Sequence, residues 1–121
     1  MKHEYNKLQI WHDARVLNKK IYTISAGFPK EERYGLTSQV RRASVSVGSN
    51  ISEGSGNRSS KMFLKYLDYS IASLCEVETQ MYLAFDVNYI AENELNNVLE
   101  KSSFLKNKIR SLAKRLRQTV I

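Results

Sequence analysis

Apolar residues recur at helical spacing in four stretches of the chain, separated by short breaks rich in Gly, Pro, Ser or Asn. Trp11, Ala14, Leu17, Ile21, Ile24 and Phe28 follow at intervals of 3 or 4 and predict a first helix over about residues 7–27. Gly27, suited to a left-handed cap, and Pro29 should end it. Leu36, Val40, Ala43, Val47 and Ile51 form a second stripe within about 80° of arc. The second helix therefore starts between residues 31 and 37, with a short preliminary turn over residues 30–34. Gly54, Ser55, Gly56 and Asn57 provide the next break, and Ser59 or Ser60 can cap a third helix. This helix should be the longest, with Phe63, Leu67, Ile71, Leu74, Met81 and Phe85 on one face and its end near Asn88. Leu95, Val98, Ser102, Leu105, Ile109, Leu112 and Leu116 alternate at 3 and 4, a pattern that favours left-handed packing of a fourth helix. Four helices with short connections make an all-α, antiparallel up-down four-helix bundle the expected fold, as a single domain over residues 1–121. One proline and five glycines among 121 residues leave little punctuation for a many-turned β fold.

Polar residues beside these stripes change the picture most on the second helix. Gln39, Arg42, Ser46, Asn50 and Glu53 form a polar stripe about 100° from the apolar one. Arg42 should pair internally or across a subunit interface. If the second and third helices run antiparallel about Asn57, Arg42 is level with about residue 73 and within reach of Glu76. Ser44, Ser46, Gly48, Ser49, Ser52 and Gly54 permit close approach of another helix and suggest an oligomer interface, since a helix this poor in strong helix formers depends on packing. Gln39, Arg41, Arg42, Ser46, Asn50, Glu53, Arg58 and Glu76 are thus read as structural or interface residues. Glu78 falls inside the apolar stripe of the third helix and should have a basic or hydrogen-bonding partner.

The chain carries a net charge of +7, distributed as +4 over residues 1–30, +1 over 31–58, −2 over 59–90 and +4 over 91–121. The first and last helices of an up-down bundle are neighbours, so their excess would add into one electropositive side. Lys106, Arg110, Lys114 and Arg117 recur at 4, 4 and 3 on the last helix, with Lys108 and Arg115 widening the face; Arg15, Lys19 and Lys20 continue it on the first. Such a surface would hold phosphates of RNA or DNA without reading bases. The tyrosines read as core edges or interface residues rather than a stacking platform. The loop GSGNRSS, residues 54–60, combines Arg58 with a helix N-terminus, yet it lacks the lysine and spacing of a P-loop, and a helix–helix turn uses the same residues.

Catalysis finds little support. No His, Cys or second carboxylate completes an arrangement around Asn50 and Glu53, so no enzyme activity and no catalytic residue is expected. His3 and His12 are too isolated to bind metal, and no cofactor is expected. A lone Cys75 forms no intrachain disulfide and suits a reducing, cytoplasmic setting. No stretch approaches the roughly 20 apolar residues of a membrane span.

Phe28-Pro29, Glu32, Tyr34-Gly35-Leu36, Gln39, Arg41-Arg42-Ala43, Ser46, Asn50-Ile51, Glu53-Gly54, Arg58 and Ser60 compose a pattern that continues in Ser73, Glu76, Glu78-Thr79-Gln80 and YLAFDVNYI. It closely resembles the four-helix-bundle family of proteins encoded by intervening sequences within bacterial large-subunit (23S) ribosomal RNA genes. Ser52, Ala72 and Gly48 depart from residues usual in that family. The resemblance implies an up-down bundle assembled into a homo-oligomeric barrel, a homopentamer first of all. It also implies relationship to an accessory protein of diversity-generating retroelements that binds nucleic acid and a reverse transcriptase. RNA binding is the expected function, and a scaffold or adaptor for a protein partner such as a reverse transcriptase is the alternative.

Overall fold

The computed structural model describes residues 4–119, so His3 lies outside the described residues. Four helices form: α1 (Gln9–Ser25), α2 (Leu36–Ser55), α3 (Ser60–Asp86) and α4 (Glu92–Arg117), with 3-10 turns at Tyr5–Lys7 and Lys30–Glu32. The described residues contain no strand. Each helix packs on two neighbours, α1 on α2 and α4, and α3 on α2 and α4, whereas the backbones of the diagonal pairs stay further apart. Residue pairing runs in opposite directions across the α1–α2 seam, as Ser25–Arg41 and Asn18–Ser44 show, and across the α2–α3 seam, as Ser46–Ser73 and Val47–Ser70 show. This is an antiparallel four-helix bundle.

The sequence stripes converge on one core. Leu17, Ile21, Val40, Val47, Ile51, Phe63, Leu67, Leu74, Met81, Leu105 and Ile109 are fully buried. Trp11, Leu36, Ile71 and Phe85 pack against its margin. The heptad reading slips at one place: Ala113 is buried, whereas Leu112 is only partly covered. Between α2 and α3 the core is reinforced by hydroxyls. Ser70 donates to the Val47 carbonyl at 2.8 Å, and Ser46 and Ser73 share a hydrogen bond of 2.9 Å.

Gly54 explains how closely these two helices lie. A Cβ there would come within 2.7 Å of the Tyr66 Cβ and 2.9 Å of a Phe63 ring carbon. It is helical, so the break expected at residues 54–57 begins only after Ser55. Gly27 likewise departs from expectation: no glycine has a positive φ, and α1 ends in successive right-handed turns, with Gly27 donating to the Ile24 carbonyl and Phe28 to that of Ser25. The left-handed residue is Asn88, with φ 65°, beyond the end of α3. Tyr89 donates to the Ala84 carbonyl and Asn88 to that of Phe85, the paired bonds that close a helix through a left-handed residue. Ser59 caps α3 by accepting from the Met62 amide at 3.3 Å. Ala91, before α4, has no side-chain acceptor; its own amide donates to Glu94 at 2.9 Å.

Candidate nucleic-acid interface

The basic residues of α4 divide according to which neighbour they face. Lys106 Nζ lies 2.8 Å from Glu78 Oε2, with the two side chains only 17% and 21% exposed. Ser102 Oγ donates to the same carboxylate oxygen. Glu78 thus has the partner its position demands, and Lys106, expected on a solvated face, is taken into the α3–α4 seam. On the opposite flank Lys108 Nζ reaches Asp13 Oδ2 at 2.9 Å and lies 4.5 Å from the centre of the Phe104 ring. It too leaves the solvated face. Arg110, Lys114, Arg115 and Arg117 remain exposed, and none forms an ion pair among the described residues.

α1 divides similarly. Arg15 lies 5.1 Å from the Trp11 ring and, with Lys19, borders a depression beside Ser44 and Ser49 of α2. Lys20 stands about 100° further round the helix, on the flank it shares with Asp13 that faces α4. The expected continuous surface over α1 and α4 is therefore interrupted at their seam by the Asp13–Lys108 pair, while Lys106 is turned toward α3.

A groove of about 750 Å³ lies elsewhere, along the outer face of α2. Ser38, Val45 and Ser49 form its floor. Arg41 and Arg42 flank it, Arg33 and Tyr34 stand at one end, and Glu53 stands at the other. The two neighbouring arginines behave differently. Arg41 donates through Nε to Ser25 Oγ at 2.8 Å and through Nη2 to the Tyr22 carbonyl at 3.3 Å, and its guanidinium lies 4.5 Å from the Tyr22 ring centre. It fastens α2 to the negative C-terminal turn of α1. Arg42, expected to pair internally or across a subunit interface, is exposed in the monomer. It lines a second depression with Gln39, Glu76 and Gln80, but no ion pair joins Arg42 to Glu76 among the described residues. Their placement at one level agrees with the antiparallel register; the closure does not occur within the monomer.

The remaining polar stripe on α2 serves packing in part. Asn50 Nδ2 donates to the Ser46 carbonyl and hydroxyl, and Ser46 reaches Ser73, whereas Gln39 and Glu53 are exposed. Arg58 is also exposed, in the α2–α3 turn. Ser44 is buried and donates to Asn18 at 2.9 Å.

Glu32 sets the position of the Arg33–Tyr34 pair. Its Oε1 accepts the Leu36 amide at 3.1 Å, and its Oε2 accepts the Tyr89 hydroxyl at 2.8 Å. The Leu36 amide, followed by Tyr89, holds the carboxyl below the ordinary glutamate range; the same bond to Glu32 raises the Tyr89 hydroxyl above its usual value. Arg33 then lies 5.4 Å from the ring centre of Tyr34, a side chain 86% exposed and thus neither core edge nor covered contact in the monomer. Periodicity does not mark Arg33 or Tyr22, because one lies between helices and the other reaches α2 only through the bundle register. The run ERYG before an apolar stripe is the one local signal of this corner.

Among the described residues no group of three or more His, Cys, Asp or Glu could hold a metal ion. No helix among the described residues is long and apolar enough to cross a membrane.

Comparison with known proteins bears on the whole bundle. Residues 6–111 match the sequence profile of the 23S rRNA-intervening sequence protein. Among solved structures, the chain is similar to a protein of unknown function from the S23 ribosomal protein family of Bacteroides thetaiotaomicron VPI-5482. The TM-score is 0.77 at 18% identity, covering 87% of this chain and 98% of the other. At that identity the likeness concerns the fold. Nothing among the curated proteins matches.

Proposed function

Because the chain belongs to the family of 23S rRNA-intervening sequence proteins, we propose that it is a non-enzymatic, cytoplasmic, homo-oligomeric bundle that binds RNA through phosphate contacts. The observation that carries this reading is the exposed set without ion pairs, Arg110, Lys114, Arg115 and Arg117 on α4 with Arg15 and Lys19 on α1, beside a half-buried Lys20, in a chain of net charge +7. Cations without carboxylate partners retain their field and exchange counterions with a phosphate backbone. Lys106 and Lys108 contribute to the bundle instead.

A homopentamer is the assembly that the sequence resemblance implies. A groove of about 410 Å³ at the α1–α4 seam, between Leu8, Leu112 and a 60% exposed Phe104, supports a contact with another subunit. The same groove favours the second reading, a scaffold for a protein partner such as a reverse transcriptase.

Binding of mixed RNA and DNA followed by fluorescence anisotropy over a salt series tests the reading. Affinity should fall steeply with salt, and reversing Arg110, Lys114 and Arg117 to Glu should abolish binding while leaving the thermal transition in place. An absence of binding at low salt removes nucleic-acid association and leaves the scaffold.

A further inference from the structure

We propose that the groove along the outer face of α2 is a site for unpaired RNA, with Tyr34 stacking on a base and Arg33 and Arg42 holding the flanking phosphates. This rests on the nucleic-acid reading above and adds the class of strand and a second surface, on α2, that adjoins the basic residues of α1 at Val45 and Ser49.

Three features of the groove fit a single strand. The first is charge. Arg33, Arg41 and Arg42 line it against one carboxylate, Glu53, and none of the three arginines forms an ion pair among the described residues. On α4, by contrast, the two lysines nearest the seams are neutralised by Glu78 and Asp13. The second is aromatic surface beside those cations. The Tyr34 ring is 86% exposed with the Arg33 guanidinium 5.4 Å from its centre, and Tyr22 stands across the groove beside Arg41. An exposed ring beside a guanidinium offers a stacking surface and a phosphate partner side by side, the combination by which unpaired bases are held without sequence preference. Bases within a duplex are already stacked and cannot use it.

The third feature is shape. Ser38, Val45 and Ser49 keep the floor low between the two arginines, and from Ser38 to Glu53 the groove runs about 22 Å along the helix axis. A depression this long and open suits a short stretch of extended strand. Serine hydroxyls and the Asn50 side chain on its border supply neutral hydrogen-bonding groups for sugar or base edges. The corner bearing Tyr34 is held in advance by Glu32, which accepts both the Leu36 amide and the Tyr89 hydroxyl.

The test compares two labelled probes on the intact protein at low salt, an oligoadenylate RNA and a blunt RNA duplex of matched length, with oligomeric mass followed by light scattering. Tyr34→Ala should weaken oligoadenylate binding about tenfold and leave duplex binding unchanged, and Tyr34→Phe should restore it. Arg42→Ala should weaken the same probe severalfold. Binding of both probes that is indifferent to Tyr34→Ala, or an equal loss for both, overturns the site while the phosphate-binding reading stands. A change of oligomeric mass in Tyr34→Ala or Arg42→Ala also overturns it, by showing the groove to be a seam between subunits. If neither probe binds to the unaltered protein, the nucleic-acid reading itself falls. Because Tyr34 is 86% exposed, an unchanged melting curve for Tyr34→Ala separates these outcomes from misfolding.

Discussion

α2 and α4 lie diagonally across the bundle and hold their neighbours by opposite means. α4 presents bulky aliphatic residues to the core, and at its margins Lys106 and Lys108 reach across to Glu78 and Asp13. α2 uses small residues and neutral hydroxyls: Gly54 beneath Phe63 and Tyr66, Ser44 on Asn18, Ser46 on Ser73 and the Val47 carbonyl on Ser70. The charges of α2 find no carboxylate in these seams: Arg41 is held by the neutral Ser25 hydroxyl and Tyr22 carbonyl and Arg42 stays outside, whereas two lysines of α4 are drawn onto acidic partners. Counting basic residues along a helix consequently overstates the free charge of α4, where two of the lysines are paired, and not that of α2, whose arginines meet no carboxylate.

The strongest way to break this contrast is at the Glu78–Lys106 pair. Glu78→Ala leaves a largely covered ammonium and the Ser102 hydroxyl without their acceptor, and chemical denaturation should show a loss of about 2–3 kcal/mol. Replacing the pair together, Glu78→Leu with Lys106→Met, should recover most of that loss. On α2 the corresponding injury is steric. Gly54→Ala places a methyl against Tyr66 and Phe63, and despite better helix propensity it should destabilise by about 1–2 kcal/mol in the same measurement.

Smaller effects sharpen the distinction within α2. Arg41→Ala loses the bonds to Ser25 and the Tyr22 carbonyl and should cost about 1 kcal/mol, whereas Arg42→Ala, with no partner in the monomer, should stay within about 0.5 kcal/mol. Gly48→Ala has the reverse sign. Its added carbon would meet Ala14 Cβ at 3.6 Å, ordinary contact, so the helix gains propensity and the melting temperature should rise by the equivalent of about 0.5–1 kcal/mol.

The last prediction concerns pH. The Glu32 carboxyl is lowered in the folded chain, so its contribution is fully present above the ordinary glutamate value and is lost as pH falls through the lowered one. Glu32→Gln should flatten that acid-side decline in thermal melts. Tyr89 is raised and stabilises while protonated, so the same contact weakens again as pH rises through the raised tyrosine value.

Helix positions were legible because each rests on a local period or cap: the stripe from Val40 to Ile51, the Ser59 cap and the end near Asn88 all follow from residues within a turn or two. The need of Glu78 for a partner was legible for the same reason. What the linear pattern could not give was the identity of that partner, since Lys106 and Ser102 reach it only through the register between α3 and α4. Nor does periodicity distinguish Arg41 from Arg42, adjacent residues about 100° apart on α2, one facing the end of α1 and the other α3. Gly27 misled because a glycine before a proline suits a left-handed cap that the right-handed turns at Ala26 and Gly27 make unnecessary.

At one end of the bundle Glu32 and Tyr89 tie together connections 57 residues apart, with the Phe28 and Tyr89 rings 5.6 Å apart beside them. The connection before α2 and the one before α4 should therefore open together, and Tyr89→Phe should speed amide exchange in both in native-state hydrogen exchange. The bundle then behaves as a clasped sheaf, with Glu32 as the clasp beside Tyr34.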